Sequence, residues 1–133
     1  MFRILLILCM TASLWAGEIY VHITALKNTQ GDVYIGLYRQ PKNFLNTRKA
    51  YKRVKLKAKK SLTYRFRSVP LGSYAIAVYH DANSNGKLDR NLLGIPNEST
   101  GTSHNVVSHF GPPSFDKAKF KHHKYTKLTI RMR

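Results

Sequence analysis

Residues 73–89 read SYAIAVYHDANSNGKLD, an apolar strand pattern running straight into a series of oxygen-bearing side chains. From Ser73 to His80, small and large apolar residues occupy both faces. A strand of that composition is covered on both sides, so it is expected at the centre of a sheet. Val69-Pro70-Leu71-Gly72 before it reads as a turn. After His80 the apolar pattern stops, and residues 82–119 show no sustained period. A connection that long in a compact domain is more often functional than idle.

Working outward, other segments alternate with period two, the mark of half-buried strands. Over Glu18 to Leu26, Ile19, Val21 and Ile23 point one way and Tyr20, His22 and Thr24 the other. Asn28-Thr29-Gln30-Gly31-Asp32 is a turn in which Gly31 is free to take positive φ, and Val33 to Tyr38 (VYIGLY) is expected to return as the partner in a hairpin. Gln40 to Lys49 reads as a loop. Arg53 to Lys59 places Val54, Leu56 and Ala58 inward, and Leu62, Tyr64 and Phe66 do the same on the next strand. If those two strands pair, Arg53, Lys55, Lys57, Lys59, Arg65 and Arg67 share one solvent face. Such a face either docks anions or simply protects a sheet edge from aggregation. Lys124 to Arg133 closes the sheet with Leu128, Ile130 and Met132 inward. Six short strands without an extended helical period predict an all-β fold, a single sandwich with one long loop over residues 82–119.

The chain has 133 residues, and its first seventeen have the layout of a secretory signal peptide: basic Arg3, an apolar run from Ile4 to Ala16, and small residues before Glu18. The run is too short for a comfortable membrane span. The expected organisation is therefore a leader over 1–17 and a β-sandwich domain over 18–133, without a transmembrane segment after cleavage. The only cysteine, Cys9, lies in the leader, which removes disulfides and thiol chemistry from the mature domain. Lys and Arg number 23 against six Asp and Glu; losing Arg3 leaves 22 against six. A balance of that kind favours anionic partners such as envelope glycans or lipopolysaccharide. Nucleic acid is disfavoured, because Tyr64 and Phe66 fall on the face opposite the cations, where bases could not stack between them.

Half of the carboxylates lie within residues 81–98: Asp81, Asp89 and Glu98. Asp81, Asn83 and Asn85 sit at alternate positions, Gly86 permits a sharp bend, the Lys87 carbonyl can turn inward, and Asp89 can bind directly or through water. This matches the first half of a twelve-residue calcium loop, glycine included. The twelfth position is Leu92 instead of glutamate, so Glu98 or Asp116 would have to complete the shell. Calcium is the cofactor this spacing implies, with weak affinity in the range of about 10⁻⁴ to 10⁻³ M. The alternative is that the Asp and Asn side chains bond to the loop backbone and no ion is needed.

The six histidines share no helical or strand spacing that would unite them on a transition metal. Gly101-Thr102-Ser103-His104-Asn105 lacks the second glycine of a nucleophile elbow. Enzyme chemistry, and metal-assisted hydrolysis in particular, ranks third behind structural or binding roles and adhesion to an anionic surface.

The ordered motifs from Pro70-Leu71-Gly72-Ser73-Tyr74-Ala75 through His80–Asp89, Gly94-Ile95-Pro96-Asn97-Glu98 and Phe110-Gly111-Pro112-Pro113-Ser114-Phe115-Asp116 resemble the bacterial secreted family known as Domain of Unknown Function 2141. Thr102 and His104 stand where that family commonly has an aromatic and an asparagine. The resemblance implies a periplasmic or extracellular β-sandwich with no assigned activity. More distantly, the strand from Pro70 to Tyr79 is similar to prealbumin-like, Ig-like sandwiches and to adhesin B repeats, some of which bind calcium through Asp/Asn loops.

Overall fold

A computed structural model describes residues 16–86 and 98–133. Eight strands are present among them: β1 (Ala16–Thr24), β2 (Asp32–Tyr38), β3 (Lys52–Lys57), β4 (Leu62–Pro70), β5 (Gly72–Asp81), β6 (Thr100–Thr102), β7 (Phe120–His122) and β8 (Tyr125–Arg131). They form two sheets. One has the order β4-β1-β8; the other runs β3-β2-β5-β6, with β7 also paired to β5. The fold is an all-β sandwich. No helix among the described residues is long and apolar enough to cross a membrane.

The inward positions read from the alternation fill the space between the sheets. Ile19, Val21 and Ile23 from β1, Val33, Ile35 and Leu37 from β2, and Ile130 from β8 are all fully buried. They pack with Phe66, Ile76 and Val78 in one core. Each such side chain contributes roughly 1.5–3 kcal/mol by leaving water. As the apolar residues on both its faces imply, β5 lies between neighbours, β2 on one side and β6 and β7 on the other.

Two expected hairpins do not form. β1 pairs antiparallel with β4 and parallel with β8, whereas β2 pairs with β3 and β5. The connection from β1 to β2 therefore crosses from one sheet to the other. It turns at Gly31, whose φ is +70° and whose missing Cβ leaves room for the Asp81 carbonyl and the Ala82 backbone. The connection from β3 to β4 crosses back. Alternation reveals which face of a strand is buried but not which strand lies beside it, and a turn between packed sheets looks like a turn within one.

The stretch after β5 is also more ordered than its lack of period implied. Its described part carries β6, a 3-10 turn over Ser103–Asn105 and a single-turn helix, α1 (Phe115–Ala118), capped by the Ser114 side chain. Phe115 and Ala118 build a second, smaller cluster with Tyr38 and Ala75 on the outer face of the larger sheet, with Phe44 packed edge-on against Tyr38 and Phe115. The segment seals one end of that face. Ser103 fills the gap between β6 and β7 along the edge of β5: its hydroxyl accepts from the Ile76 N–H at 3.0 Å and donates to the Ala118 carbonyl at 2.6 Å.

Candidate functional site

Asp81 is the last residue of β5 and is fully buried. Its two carboxylate oxygens accept backbone N–H groups from Asn85 at 3.1 Å and from Gly86 at 2.7 Å. The Asn83 side-chain oxygen also accepts from Asn85 N at 3.3 Å, and Gly86 takes the left-handed conformation at φ +78°. Glu98 reaches back to this turn, with Oε2 accepting from Ala82 N at 2.8 Å. Residues 81–86 thus fold around Asp81, and the backbone amides are its immediate partners. Each carboxylate oxygen offers more than one lone-pair direction, so those bonds leave acceptor capacity. Lys87 and Asp89, named with this loop, lie outside the described residues.

Strand register adds one acidic residue that the spacing did not single out. Asp32 on β2 stands directly opposite Asp81 on β5, with Lys57 of β3 on its other side. Two carboxylates placed opposite one another repel unless a cation lies near. Asp116, the other proposed completing ligand, is on α1 and pairs with Lys119 at 3.4 Å. Among the described residues, no three His, Cys, Asp or Glu side chains come together as a metal-binding group.

Three of the histidines, His80, His104 and His122, serve the fold. His80 bonds through Nε2 to the Gln30 carbonyl, and His104 through Nε2 to that of Lys119. His122 is buried, with Nε2 donating to the Val69 carbonyl at 3.1 Å and Nδ1 accepting from the Thr126 hydroxyl at 2.7 Å. Among the described residues, every buried side-chain nitrogen and oxygen has a partner.

The six cations expected on one face are divided. Arg53, Lys55 and Lys57 project from β3 on the outside of the larger sheet, Lys59 follows its end, and Arg65 and Arg67 project from β4 in the smaller sheet. All six are exposed. Both strands are edges, and they flank a hollow of about 690 Å³ lined by Lys52, Arg53, Arg65 and Arg67. Lys52 Nζ spans it to donate to the Arg67 carbonyl at 2.8 Å.

A deeper feature, unforeseen in the sequence, lies on the outer face of the larger sheet. Register sets Lys55, Tyr34, Tyr79 and Thr100 in one row across the strands and Arg53, Gly36, Ala77 and Thr102 in the next. Tyr34 and Tyr79 stack with centroids 4.8 Å apart and planes 7° from parallel. The Tyr38 ring folds back over Gly36, and a trough lies between the stacked ridge and the cluster around Tyr38. Residues 45–48 and 105–113 contribute its walls, giving a groove of about 660 Å³, within the size range of small-molecule sites. Arg48, Arg53, Arg131 and Arg133 line it, and no acidic side chain does so among the described residues. Burial pushes the Tyr79 phenol up to about 12, with Tyr34 and Asp81 adding to the rise and Arg53 opposing it. Burial likewise raises Tyr38 to about 12 against the pull of Arg53. Both stay neutral hydrogen-bonding groups at physiological pH.

The sandwich and its cationic outer face define a class, an all-β domain with surface grooves. The model of a bacterial family described as "Uncharacterized protein conserved in bacteria (DUF2141)" matches residues 21–130, and the chain belongs to that family. Comparison with curated proteins and with solved structures found no match.

Proposed function

We propose that this protein is an exported, non-enzymatic binding module of the periplasm or extracellular space, and that its partner is an anionic envelope polymer or lipopolysaccharide. The observation that carries this reading is uncompensated charge. Against 23 Lys and Arg in the chain, the ion pairs among the described residues are two exposed ones, Arg65–Glu18 and Lys119–Asp116, each at 3.4 Å. Exposed pairs of this kind neutralise little, so the cationic surface remains available to an outside partner. The occupied Ser103 hydroxyl and the hydrogen-bonded histidines support a binding role over catalysis. Binding of heparin or lipopolysaccharide should weaken strongly as sodium chloride rises, because the contacts are between exposed charges. Lys55→Glu with Lys57→Glu and Arg65→Glu should weaken it further. Affinity indifferent to salt would overturn the proposal.

A second reading concerns the turn after β5, which we propose as a weak calcium site. The opposition of Asp32 and Asp81, and the left-handed Gly86, favour it. Asp81, Asn83, Asn85 and Glu98, with Lys87 and Asp89 beyond the described residues, would supply the oxygens. At about 100 times a dissociation constant near 10⁻⁴ M, calcium should stabilise the fold by about 2.7 kcal/mol. The rise in Tm should be absent with magnesium and reduced in Asp32→Asn. No calcium-dependent shift would leave the turn held by its hydrogen bonds alone.

A further inference from the structure

We infer that the groove on the outer face of the larger sheet is the specific binding site, and that its ligand is a linear acidic oligosaccharide. The inference rests on the anionic-partner reading above and narrows it to one surface and one chemistry. The cations of the groove are all arginine. The chain contains 14 lysines and nine arginines, yet four of the nine arginines line this groove and no lysine does so among the described residues. A planar guanidinium matches a carboxylate or sulfate with two parallel hydrogen bonds, whereas an ammonium is a point charge. Selection of arginine here points to recognition of planar or tetrahedral oxyanions beyond general attraction.

Placement then sets the ligand's length. Arg53 stands on edge strand β3, with Arg48 in the wall beside it; Arg133 exchanges backbone hydrogen bonds with Thr100 on the far side of β6. The order β3, β2, β5, β6 and the terminal segment covers four strand spacings, about 19 Å at ~4.8 Å each. Anion-binding groups at both ends of such a span suit a chain carrying repeated acidic groups, longer than a single ring or phosphate. Between them the floor offers neutral hydroxyls from Tyr34, Tyr79 and Thr100, which can donate to and accept from sugar hydroxyls. Single-stranded nucleic acid fits less well. Tyr79 and Tyr38 are 8% and 1% exposed, and Tyr34 and Tyr79 already stack on each other, so little ring surface is open to a base.

The test uses the full chain and calorimetry with oligogalacturonate of four to six units, its methyl ester, and an oligothymidylate of similar length. The acidic sugar should bind and its neutral ester should not. Arg53→Gln combined with Arg133→Gln should weaken binding by at least about tenfold, while Lys121→Gln combined with Lys127→Gln, away from the groove, should change it little. All four side chains are exposed, so the substitutions leave the core intact. Equal losses from both double variants would overturn the groove but leave the anionic-partner reading standing. Equal binding of the ester, or stronger binding of oligothymidylate lost in the groove variant, would overturn the acidic-sugar assignment. Absence of binding to every polyanion, heparin and lipopolysaccharide included, would remove both readings together.

Discussion

Ser103 shows how much of the β5 edge depends on a single hydroxyl. β6 pairs Ala77 to Tyr79, β7 pairs Gly72 to Tyr74, and the Ile76 amide between them has the Ser103 side chain as its partner. Ser103→Ala would bury an unpaired N–H and strand the Ala118 carbonyl, a cost of about 1–3 kcal/mol. Denaturant unfolding should register it as a lower midpoint at unchanged slope; a loss under half a kcal/mol would mean that water replaces the hydroxyl. The sequence placed Ser103 beside His104 and invited comparison with a nucleophile. Burial and hydrogen bonding instead make it a splice in the sheet. Nothing in the local pattern announces that role, because the groups it serves are 27 and 15 residues away.

At the level of elements, His122 fastens β7 of the larger sheet to β4 and β8 of the smaller one through Val69 and Thr126. Burial lowers its pKa from the ordinary 6.5, the hydrogen bond to Val69 partly offsets that, and neighbouring His123 adds to the lowering. The unfolded chain therefore binds the proton more readily. The contribution of neutral His122 is fully present above pH ~6.5 and is lost as pH falls below it toward the folded pKa. Tm should drop on acidification from about pH 7.5 to 5, and the drop should be shallower in His122→Gln. Superimposable slopes for the two proteins would exclude His122 as the titrating tie.

The strands themselves were legible because inward Ile19, Val21, Ile23, Val54, Leu56, Ile130 and Met132 alternate with polar residues. Their partnerships were not. Proximity along the chain favoured hairpins at Gly31 and between Lys59 and Leu62, and both connections cross between sheets. The turn around Asp81 was legible from Asn and Gly spacing. Its neighbour Asp32 was not, since only the β2–β5 register sets the two side by side. The groove combines Arg53, Tyr34, Tyr79 and Arg133, far apart in sequence. A signal did exist: Tyr34, Gly36, Tyr38, Ala77 and Tyr79 put aromatic and small residues on what should be solvent faces of central strands.

Across the whole molecule, repulsion among 23 basic residues acts against compactness. Screening should relieve it. Between ~0.01 and ~0.1 M salt the Debye length shortens from ~30 to ~10 Å, and Tm should rise by roughly 4 °C if the gain is of order 1 kcal/mol. The same screening should weaken polyanion binding, so stability and affinity would move in opposite directions over one titration. A Tm that falls with salt would show that attractive pairs outweigh the repulsion.

The smaller sheet has β1 in the middle, with β4 on one side and β8 in parallel register on the other, Glu18 facing Tyr125 and Thr24 facing Arg131. Among the described residues, the first strand is thus completed by the eighth. Until β8 is made, one flank of β1 stays open as a template for stray strands, and loop closure over about a hundred residues makes that docking slow. A nascent chain of this protein stalled short of Tyr125 should be captured by chaperones, however well formed its larger sheet.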